Sequence, residues 1–499
     1  MKKDMNTNDL LLADLTKKAS EIITKLKRHE VNSLVPNNEQ LIKFEGISLD
    51  YSRQLINHKI LTSLTKLDQL KNFKKKVTGL LSGKEMALHT VFRQGEVGLI
   101  DEGTDTWKRI EKQFFMVQEL CKKLENGEKT GWTNDRFENV IFLGLGGSMI
   151  PQKFVHKALK NKYQTSRLKF GFFSNPDGLD LCEYLMSCNA RTTFFVLQSK
   201  SLKTPEIFFL FDYARKWLHD HGCSKEGEFS HFSVVTSNPK SAKAKGFPND
   251  HIFEIPEKLG GRFSIWSAMG LSLALMADKE NFDSFRIGAK NMDQHFYKAT
   301  VLQNLPIIMA LISVWNRTFL NFTTQLIVNY SSALDNLVPY LQQLEMESLG
   351  KSINKEGVRV SYPTSGIIWG GSGFDAQHAY FQLLHQGTDI VPTTFVEVLE
   401  DKAETNNLSV SSYTKENIRA QADALAMGSP LDGFDGNRPS SIISINGVSP
   451  YNLGALMALM EHKVFVQSVF WNLNCFDQPG VELGKQLLSS KVSNFNEEL

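Results

Sequence analysis

Short apolar runs alternate with helix-like stretches from about residue 138 onward. The runs are rich in β-branched and aromatic residues, which favours strands, and most gaps between them carry apolar positions at helical spacing. Strands that alternate with helices form βαβ units and a parallel sheet. The first series of predicted strands covers 140–145, 168–173, 192–198, 231–236 and 252–255.

A second series of apolar runs follows a long helical region, and each run is again followed by a helix-like stretch. No low-complexity or Pro/Gly-rich linker separates the two series. The pattern therefore predicts two doubly wound α/β domains that pack tightly, with a boundary near 275–300. Residues 1 to about 130 show helical spacing with interspersed lysines, which predicts solvated helices. The second series of strands covers 325–329, 366–369, 394–399 and 441–445.

Composition and charge narrow the functional class. A chain of 499 residues that is 41% hydrophobic can bury large cores in two or three domains. Its net charge of +2 offers no electrostatic footprint for nucleic acid, so locally placed groups must hold any anionic ligand.

The sequence also bears on the compartment. The five cysteines are scattered and lack metal-ligand spacing, which is typical of reduced thiols in a cytoplasmic protein. The amino-terminal stretch lacks the apolar core of a secretory signal. The longest apolar stretch, 264–277, is shorter than the roughly 20 residues that cross a bilayer. We expect a soluble, cytoplasmic protein with no metal site, nucleic-acid partner or membrane contact.

A glycine turn follows the first predicted strand, in "LGLGGSMIPQ" at 143–152. Glycines before a helix amino end are a common phosphate site, because the backbone can approach the ligand closely. A dinucleotide fingerprint would need glycine where Met149 stands, and the Gly-Lys-Ser/Thr of a P-loop is absent. A structural turn would explain Gly144 and Gly146, so this stretch alone identifies no ligand.

A second junction carries more chemistry. Ser199, Lys200, Ser201 and Thr204 follow the third predicted strand, and Pro205 suits the first turn of a helix that Thr204 would cap. Three hydroxyls and an ammonium at a helix amino end can hold a phosphate monoester. The alternative is simple capping beside one solvated lysine. The glycine turn in the same predicted sheet favours phosphate.

Six motifs stand in a family-specific order: "LGLGGSMIPQ", "SKSLKT", "GGRFS", "MESLGK", "AQHAYFQLLHQGT" and "FDQPGVELGKQL". Over residues 80–490 the chain resembles the glucose-6-phosphate isomerase family, and "GGRFS" and the last motif are highly specific. The resemblance implies an aldose–ketose isomerase of glucose 6-phosphate and fructose 6-phosphate that acts as a homodimer without metal or organic cofactor. It also implies two sugar-isomerase (SIS) domains, the smaller at 101–275 and the larger at 276–484. A helical segment at 1–100 would pack on the larger domain, and 485–499 would form a short helix.

The reaction itself needs a base for the proton beside the carbonyl and a cation for the enediolate. The resemblance assigns the base to Glu347 and the cation to Arg262. Without the motif, Glu345 would be an equally plausible base, and Arg262 would be interpreted as a structural ion-pair arginine.

The resemblance also assigns the binding residues. Gly147 and Ser148 would line the sugar side of the pocket, and the phosphate would be held by Ser199, Lys200, Ser201 and Thr204. The turn that opens the first domain would therefore serve a sugar.

Ring opening needs a proton moved between the ring oxygen and the carbon 1 hydroxyl. The resemblance assigns this step to His378 and Lys485, with Gln478 as a polar contact. The family's histidine enters the pocket of the other subunit, which implies a homodimer with shared active sites. A histidine in an apolar helix is otherwise more often a core residue.

Three positions depart from the family pattern: Leu349, Gly371 and Pro479 stand where asparagine, glutamate and tryptophan are common. None removes a proposed proton-transfer group. Two other functions stay open. One is a regulatory protein that binds a sugar phosphate through SIS domains, which the retained Glu347 and Arg262 disfavour. The other is an isomerase of a related sugar phosphate, which substrate comparison would separate.

Overall fold

The computed structural model describes residues 7–28, 40–83, 88–94, 103–399, 408–429, 432–481, 483–484 and 487–488. Its strands are β1 (Leu41–Phe44), β2 (Ile47–Arg53), β3 (Asn139–Gly144), β4 (Lys169–Phe173), β5 (Thr193–Gln198), β6 (Phe232–Thr236), β7 (Ile252–Glu254), β8 (Thr324–Asn329), β9 (Ile367–Ser372), β10 (Thr393–Val398) and β11 (Ser440–Ile445). All nine predicted strands are present, within a few residues of their predicted bounds.

Helices fill the connections. They are α1 (Thr7–Lys27), α2 (His58–Thr65), α3 (Phe73–Leu81), α4 (Leu88–Gln94), α5 (Gly103–Asn126), α6 (Ile150–Tyr163), α7 (Leu179–Met186), α8 (Pro205–Asp220), α9 (Pro239–Ala244), α10 (Leu271–Met276), α11 (Lys279–Lys298), α12 (Leu305–Val314), α13 (Leu337–Leu341), α14 (Gly373–Ala379), α15 (Phe381–Gln386), α16 (Leu408–Met427) and α17 (Pro450–Phe470).

The first sheet has the order β4-β3-β5-β6-β7, and every neighbouring pair is parallel. Apolar clusters cover both faces: one includes Leu181 and Leu210 of α7 and α8, and the other includes Val117 and Leu275 of α5 and α10. This confirms the predicted doubly wound α/β architecture, in which burial on both faces explains the nearly continuous apolar runs.

The second sheet has the order β1-β2-β11-β10-β8-β9. The four strands β11, β10, β8 and β9 are parallel, as predicted. The β1–β2 hairpin extends the sheet, with β2 antiparallel to β11. The description of residues 1–100 as helical is therefore incomplete. Ile47, Leu49 and Tyr51 alternate with polar residues and are all buried, which is the period-2 signal of a half-covered strand.

The predicted boundary at 275/276 falls at the end of α10, and the broader range 275–300 includes all of α11. Helix α10 packs on α5 and α6, whereas α11 packs along α17. The helix predicted at 485–499 lies outside the described residues, apart from 487–488.

Helix α17 is the central helix of the larger apolar cluster. Residues 453–470 are all buried, and the helix is also long and apolar enough to cross a membrane by length and composition. Its whole apolar stretch is buried inside the protein against helices such as α11 and α12. We therefore interpret it as a core helix.

The topology of the first sheet places a crevice between β3 and β5. The chain leaves β3 for β4 on one side and then crosses to β5 on the other, so the two loops after β3 and β5 diverge. Ligands of open α/β sheets bind at such a point, outside the carboxyl ends of the strands. Gly144 pairs with Gln198 at this edge, which brings together the glycine turn and the loop 199–204.

Buried histidines make the fold sensitive to acid, and His231 is the clearest case. Its Nδ1 lies 2.7 Å from the Thr193 carbonyl oxygen, and the Trp132 N–H donates to its Nε2 over 3.2 Å. The neutral ring therefore satisfies both contacts, whereas a proton on Nε2 would face the Trp132 N–H. Burial is the main cause that lowers the pKa of His231 to about 4.

We expect His231 to destabilise the fold as the pH falls from 6.5 to about 4. Over that range the unfolded chain binds a proton that the folded ring does not, which costs at most about 3 kcal/mol of unfolding free energy. His231→Gln should unfold at a lower temperature at pH 7, yet its thermal midpoint should fall less steeply with acid. The exposed His58→Gln variant is the control. Parallel curves for His231→Gln and the parent would contradict this assignment.

Candidate active site

The guanidinium of Arg262 is held rigidly in the protein interior. It lies in a short 3₁₀ helix, Gly261–Trp266, after β7, and the residue is 2% exposed. Its Nε donates to Ser348 Oγ over 2.6 Å, and Nη1 donates to Gln478 Oε1 over 3.0 Å. Its Nη2 donates to the carbonyl oxygens of Cys475 and Asp477 over 2.5 and 3.1 Å. These contacts fix the cation before any ligand arrives.

Glu347 completes the arrangement. Its Oε2 lies 3.6 Å from Arg262 Nη1, and its side chain is 24% exposed. It ends a π-helical turn, Gln342–Glu347, which is an irregularity that is frequent at functional sites. A carboxylate between a fixed cation and open space can exchange protons with a bound molecule.

Glu345, which the sequence could not separate from Glu347, has a different environment. Its Oε2 is 2.6 Å from Lys463 Nζ, and Gln467 Nε2 donates to its Oε1 over 3.1 Å. Both oxygens are occupied, and the residue is buried. Residues two apart on a helix point in nearly opposite directions, so Glu347 faces the opposite side.

An open cavity of about 770 Å³ lies beside Glu347. Gln478, Lys351, Asn474 and Asp477 also line it. This volume is in the range of pockets that hold small organic molecules. Arg262 Nη1 contacts both Glu347 and Gln478, so the fixed cation lies directly behind the cavity wall.

The glycine turn packs directly against the 3₁₀ helix Gly261–Trp266, which we call the Arg262 segment. A Cβ on Gly147 would lie 2.4 Å from the Gly261 carbonyl carbon and 2.5 Å from the Arg262 nitrogen. Gly146 has φ +50°, a conformation that favours glycine. Ser148 is buried, and its carbonyl oxygen accepts a hydrogen bond of 2.5 Å from Gln152 Nε2. The turn is therefore needed for close approach between the two segments.

The loop after β5 has a fixed backbone. The Lys200 carbonyl oxygen accepts hydrogen bonds from Thr236 Oγ1, Ser237 N and Ser237 Oγ over 3.0, 2.9 and 2.8 Å. Ser199 Oγ accepts from the Leu202 N–H over 3.2 Å, and Leu202 itself has φ +48°. The loop is therefore shaped in advance.

The hydroxyls of this loop lie at the start of α8. Pro205 occupies the first turn, as predicted, and Thr204 is the N-cap residue, although its side chain makes no capping hydrogen bond. Ser201 is exposed. The predicted N-cap position of Thr204 is confirmed, and because no side chain caps it, the helix amino end can accept an anion.

The lysine of the loop shares its electrostatic environment with Arg262. Lys200 is partly buried, and burial is the main cause that lowers its pKa. The positive charge of Arg262 lowers that pKa further, and Glu257 opposes the change. A lysine whose charge is destabilised by burial and by a second cation is a favourable place for a phosphate or an oxyanion.

The remaining predicted residues are His378 and Lys485. His378 lies on α14 with an exposed side chain, and no hydrogen bond or ion pair described for the chain joins it to Arg262 or Glu347. Lys485 lies outside the described residues. The structure thus brings together the glycine turn, the loop 199–204, Arg262, Glu347 and Gln478 within one chain.

The three residues that depart from the family pattern lie in different environments. Leu349 is fully buried in the apolar core, so its side chain does not reach the cavity. Pro479 lines the cavity and is exposed. Gly371 lies in β9, and a Cβ built on it would have nothing within 4 Å.

Sequence reasoning missed several residues that shape the site. Ser348 accepts from Arg262 Nε, and Lys351 forms an ion pair of 2.6 Å with Asp477. Gln343 Nε2 would lie 3.4 Å from a Cβ on Gly146, which places it at the glycine turn. Ser348 and Lys351 stand in "MESLGK", so the motif itself was the signal for both. No group of three or more His, Cys, Asp or Glu side chains that could hold a metal occurs among the described residues.

The chain is similar to several known proteins of one family. The family model for phosphoglucose isomerase matches residues 50–498. Glucose-6-phosphate isomerase of Hahella chejuensis is 36% identical over 476 residues, covering 89% of this chain and 85% of that protein. The enzyme of Helicobacter acinonychis is 35% identical over 477 residues, covering 89% and 87%. A solved glucose-6-phosphate isomerase from Chlamydia trachomatis has a TM-score of 0.85 and 30% identity, covering 98% of this chain and 96% of that one.

We expect Gly147→Ala to disturb the site, because the added methyl group would overlap the backbone at Gly261 and Arg262. Backbone atoms cannot yield as a flexible side chain can, so the turn or the Arg262 segment must shift. A displacement of about 1 Å can cost roughly 100-fold in rate. Turnover of sugar phosphates measures the effect. Gly371→Ala is the control, and equal activity of the two variants would show that the close approach is unimportant.

Proposed function

The chain belongs to the phosphoglucose isomerase family, and from that premise we propose that it interconverts glucose 6-phosphate and fructose 6-phosphate. The observation that carries the proposal is the carboxylate of Glu347 between the buried Arg262 guanidinium and an open cavity. This reaction stands in glycolysis and gluconeogenesis, and we propose a cytoplasmic location for it. A regulatory or other sugar-phosphate role is not favoured.

Glu347 would carry out the isomerisation step. It removes the proton from carbon 2 of the open aldose and returns a proton to carbon 1, and the reverse reaction uses the same two positions. The intermediate is a cis-enediolate, whose negative charge develops on the oxygens of carbons 1 and 2. Arg262 is already fixed by four hydrogen bonds, so it can stabilise that charge without reorganising.

The loop 199–204 would hold the phosphate. Lys200 provides the charge, the hydroxyls of Ser199, Ser201 and Thr204 provide hydrogen bonds, and α8 begins directly behind them. Gly147 and Ser148 would lie along the sugar, between this loop and the Arg262 segment, and Gln478 would contact it from the cavity side. Binding energy from the non-reacting phosphate can then be used to orient the reacting carbons.

The ring-opening step would use His378 and Lys485. His378 is exposed, and no hydrogen bond or ion pair among the described residues joins it to Glu347 of its own chain, which supports a pocket completed by the partner subunit. Phe374 and Leu383 of α14 and α15, on the helices beside His378, are 38% and 47% exposed. We propose a homodimer in which each site contains His378 of the partner subunit.

Glu347→Gln tests the proposed function directly. The amide cannot accept the proton, so turnover of glucose 6-phosphate should fall by about 100- to 10,000-fold, as is typical for loss of a general base. Affinity for a hexitol phosphate, which cannot isomerise, should stay within a few-fold. The exposed Glu183→Gln variant on α7 is the control. A Glu347→Gln enzyme within tenfold of the parent rate would assign the base to another group.

A mixture of two inactive variants tests the shared site. Glu347→Gln and His378→Ala chains, once exchanged, form mixed dimers in about half of the cases, and each mixed dimer has one intact pocket of two. Activity per chain should therefore approach roughly a quarter of the parental value. Tagged pull-down verifies the exchange, and each variant alone must first be shown to be impaired. Verified mixed dimers no more active than the two variants averaged would place His378 in its own chain's pocket.

A further inference from the structure

Three consecutive charged or ionisable residues lie in the buried middle of α17: Glu461, His462 and Lys463. None has a role in the chemistry proposed above. Each is 3% exposed or less, although charged residues are rarely buried without a specific partner. Their partners connect this helix to both segments that carry the reacting groups.

On one side of α17, Glu461 accepts a hydrogen bond from the 3₁₀ helix that contains Arg262. Trp266, the last residue of the 3₁₀ helix that contains Arg262, donates from Nε1 to Glu461 Oε1 over 2.8 Å. Arg93 forms an ion pair with the other oxygen of Glu461 and a second ion pair of 2.8 Å with Asp293. The carboxylate of Glu461 is therefore compensated, and its position is fixed.

On the other side, Lys463 holds the π-helical turn. Its Nζ lies 2.6 Å from Glu345 Oε2, and Gln467, one turn further along α17, donates to Glu345 Oε1 over 3.1 Å. The side chains of Lys463 and Glu345 are 4% and 5% exposed. Glu345 lies two residues before Glu347 in the same turn. Its contacts with Lys463 and Gln467 therefore limit how the turn can rotate or slide.

We propose that the Lys463–Glu345 pair is a positioning device that sets the location of Glu347 relative to Arg262. Lys463 and Glu461 lie two residues apart on one rigid helix, and each holds one of the two catalytic segments. Helix α17 thereby fixes the 3.6 Å separation of Glu347 Oε2 and Arg262 Nη1. The proposal rests on the proposed isomerase function, and it gives Lys463 no contact with the substrate.

The energetics of buried ion pairs make the idea testable. Removing one partner leaves an uncompensated buried charge, which is strongly destabilising, whereas replacing both with neutral residues of similar size is often nearly neutral for stability. The double variant Lys463→Met/Glu345→Gln should therefore fold. It lacks the ion pair between α17 and the π-helical turn, while the volumes of the two side chains stay similar.

The matched control is a second ion pair with a buried carboxylate. Arg215 donates to Glu228 over 3.1 and 2.7 Å near the far end of α8. The variant Arg215→Met/Glu228→Gln removes this pair without touching α17 or either catalytic segment. Any general effect of losing an ion pair should appear in both double variants.

We expect kcat of Lys463→Met/Glu345→Gln to fall about 10- to 100-fold, because displacement of a reacting group by about 1 Å has effects of that size. KM for glucose 6-phosphate and affinity for a hexitol phosphate should change less than threefold, since the loop 199–204 is untouched. Affinity for an aldonic acid phosphate, whose carboxylate resembles the enediolate, should fall in parallel with kcat. The control pair should keep kcat within twofold.

Parental kcat in a folded Lys463→Met/Glu345→Gln enzyme overturns the inference, as does an equal loss in the control pair. A parent chain that fails to isomerise glucose 6-phosphate would instead refute the proposed function. If the double variant does not fold, Gln467→Met removes the hydrogen bond to Glu345 Oε1 and leaves the Lys463–Glu345 ion pair intact. It should lower kcat about threefold at unchanged KM, and an unchanged kcat would again refute the positioning role.

Discussion

The buried guanidinium of Arg262 is the contact on which the site depends. It joins segments that are distant in sequence: its own 3₁₀ helix, the π-helical turn through Ser348 and Glu347, and the stretch after α17 through Gln478 and two carbonyl oxygens. A buried cation needs such partners, because leaving water is costly without them. The same partners hold the charge still at the place where the reaction would develop negative charge. The hydrogen bonds that satisfy the buried guanidinium therefore also preorganise it for the proposed reaction.

The topology of the first sheet brings further residues to the proposed pocket. The divergence of the chain between β3 and β5 opens a crevice at the end of the sheet, where the glycine turn and the loop 199–204 both lie. Gly147 then allows the turn to touch the Arg262 segment. The loop 199–204, proposed to hold the phosphate, and Arg262 both lie in the predicted smaller domain, where Gly147 contacts the backbone of Gly261 and Arg262. Glu347 comes from the predicted larger domain.

The apolar runs were sufficient to predict the nine strands of the two parallel arrays, since burial on both faces leaves a strong signal. The sequence analysis missed the β1–β2 hairpin because its short alternating pattern lies among lysine-rich stretches with helical spacing. Glu45 and Gly46 form the turn of the hairpin. At the site, the motifs identified the segments. They could not show that Glu345 is buried against Lys463, because this contact spans 118 residues and depends on how α17 packs.

Transfer of a proton between carbons 1 and 2 by a carboxylate can be detected by exchange with solvent. Glucose 6-phosphate is equilibrated with the enzyme in D₂O for many turnovers, and both hexose phosphates are recovered for mass spectrometry. A proton held by Glu347 beside an open cavity can exchange with solvent, so we expect the gain of one deuterium in each sugar. Complete interconversion without incorporation of deuterium would indicate direct hydride transfer and would rule out Glu347 as the base.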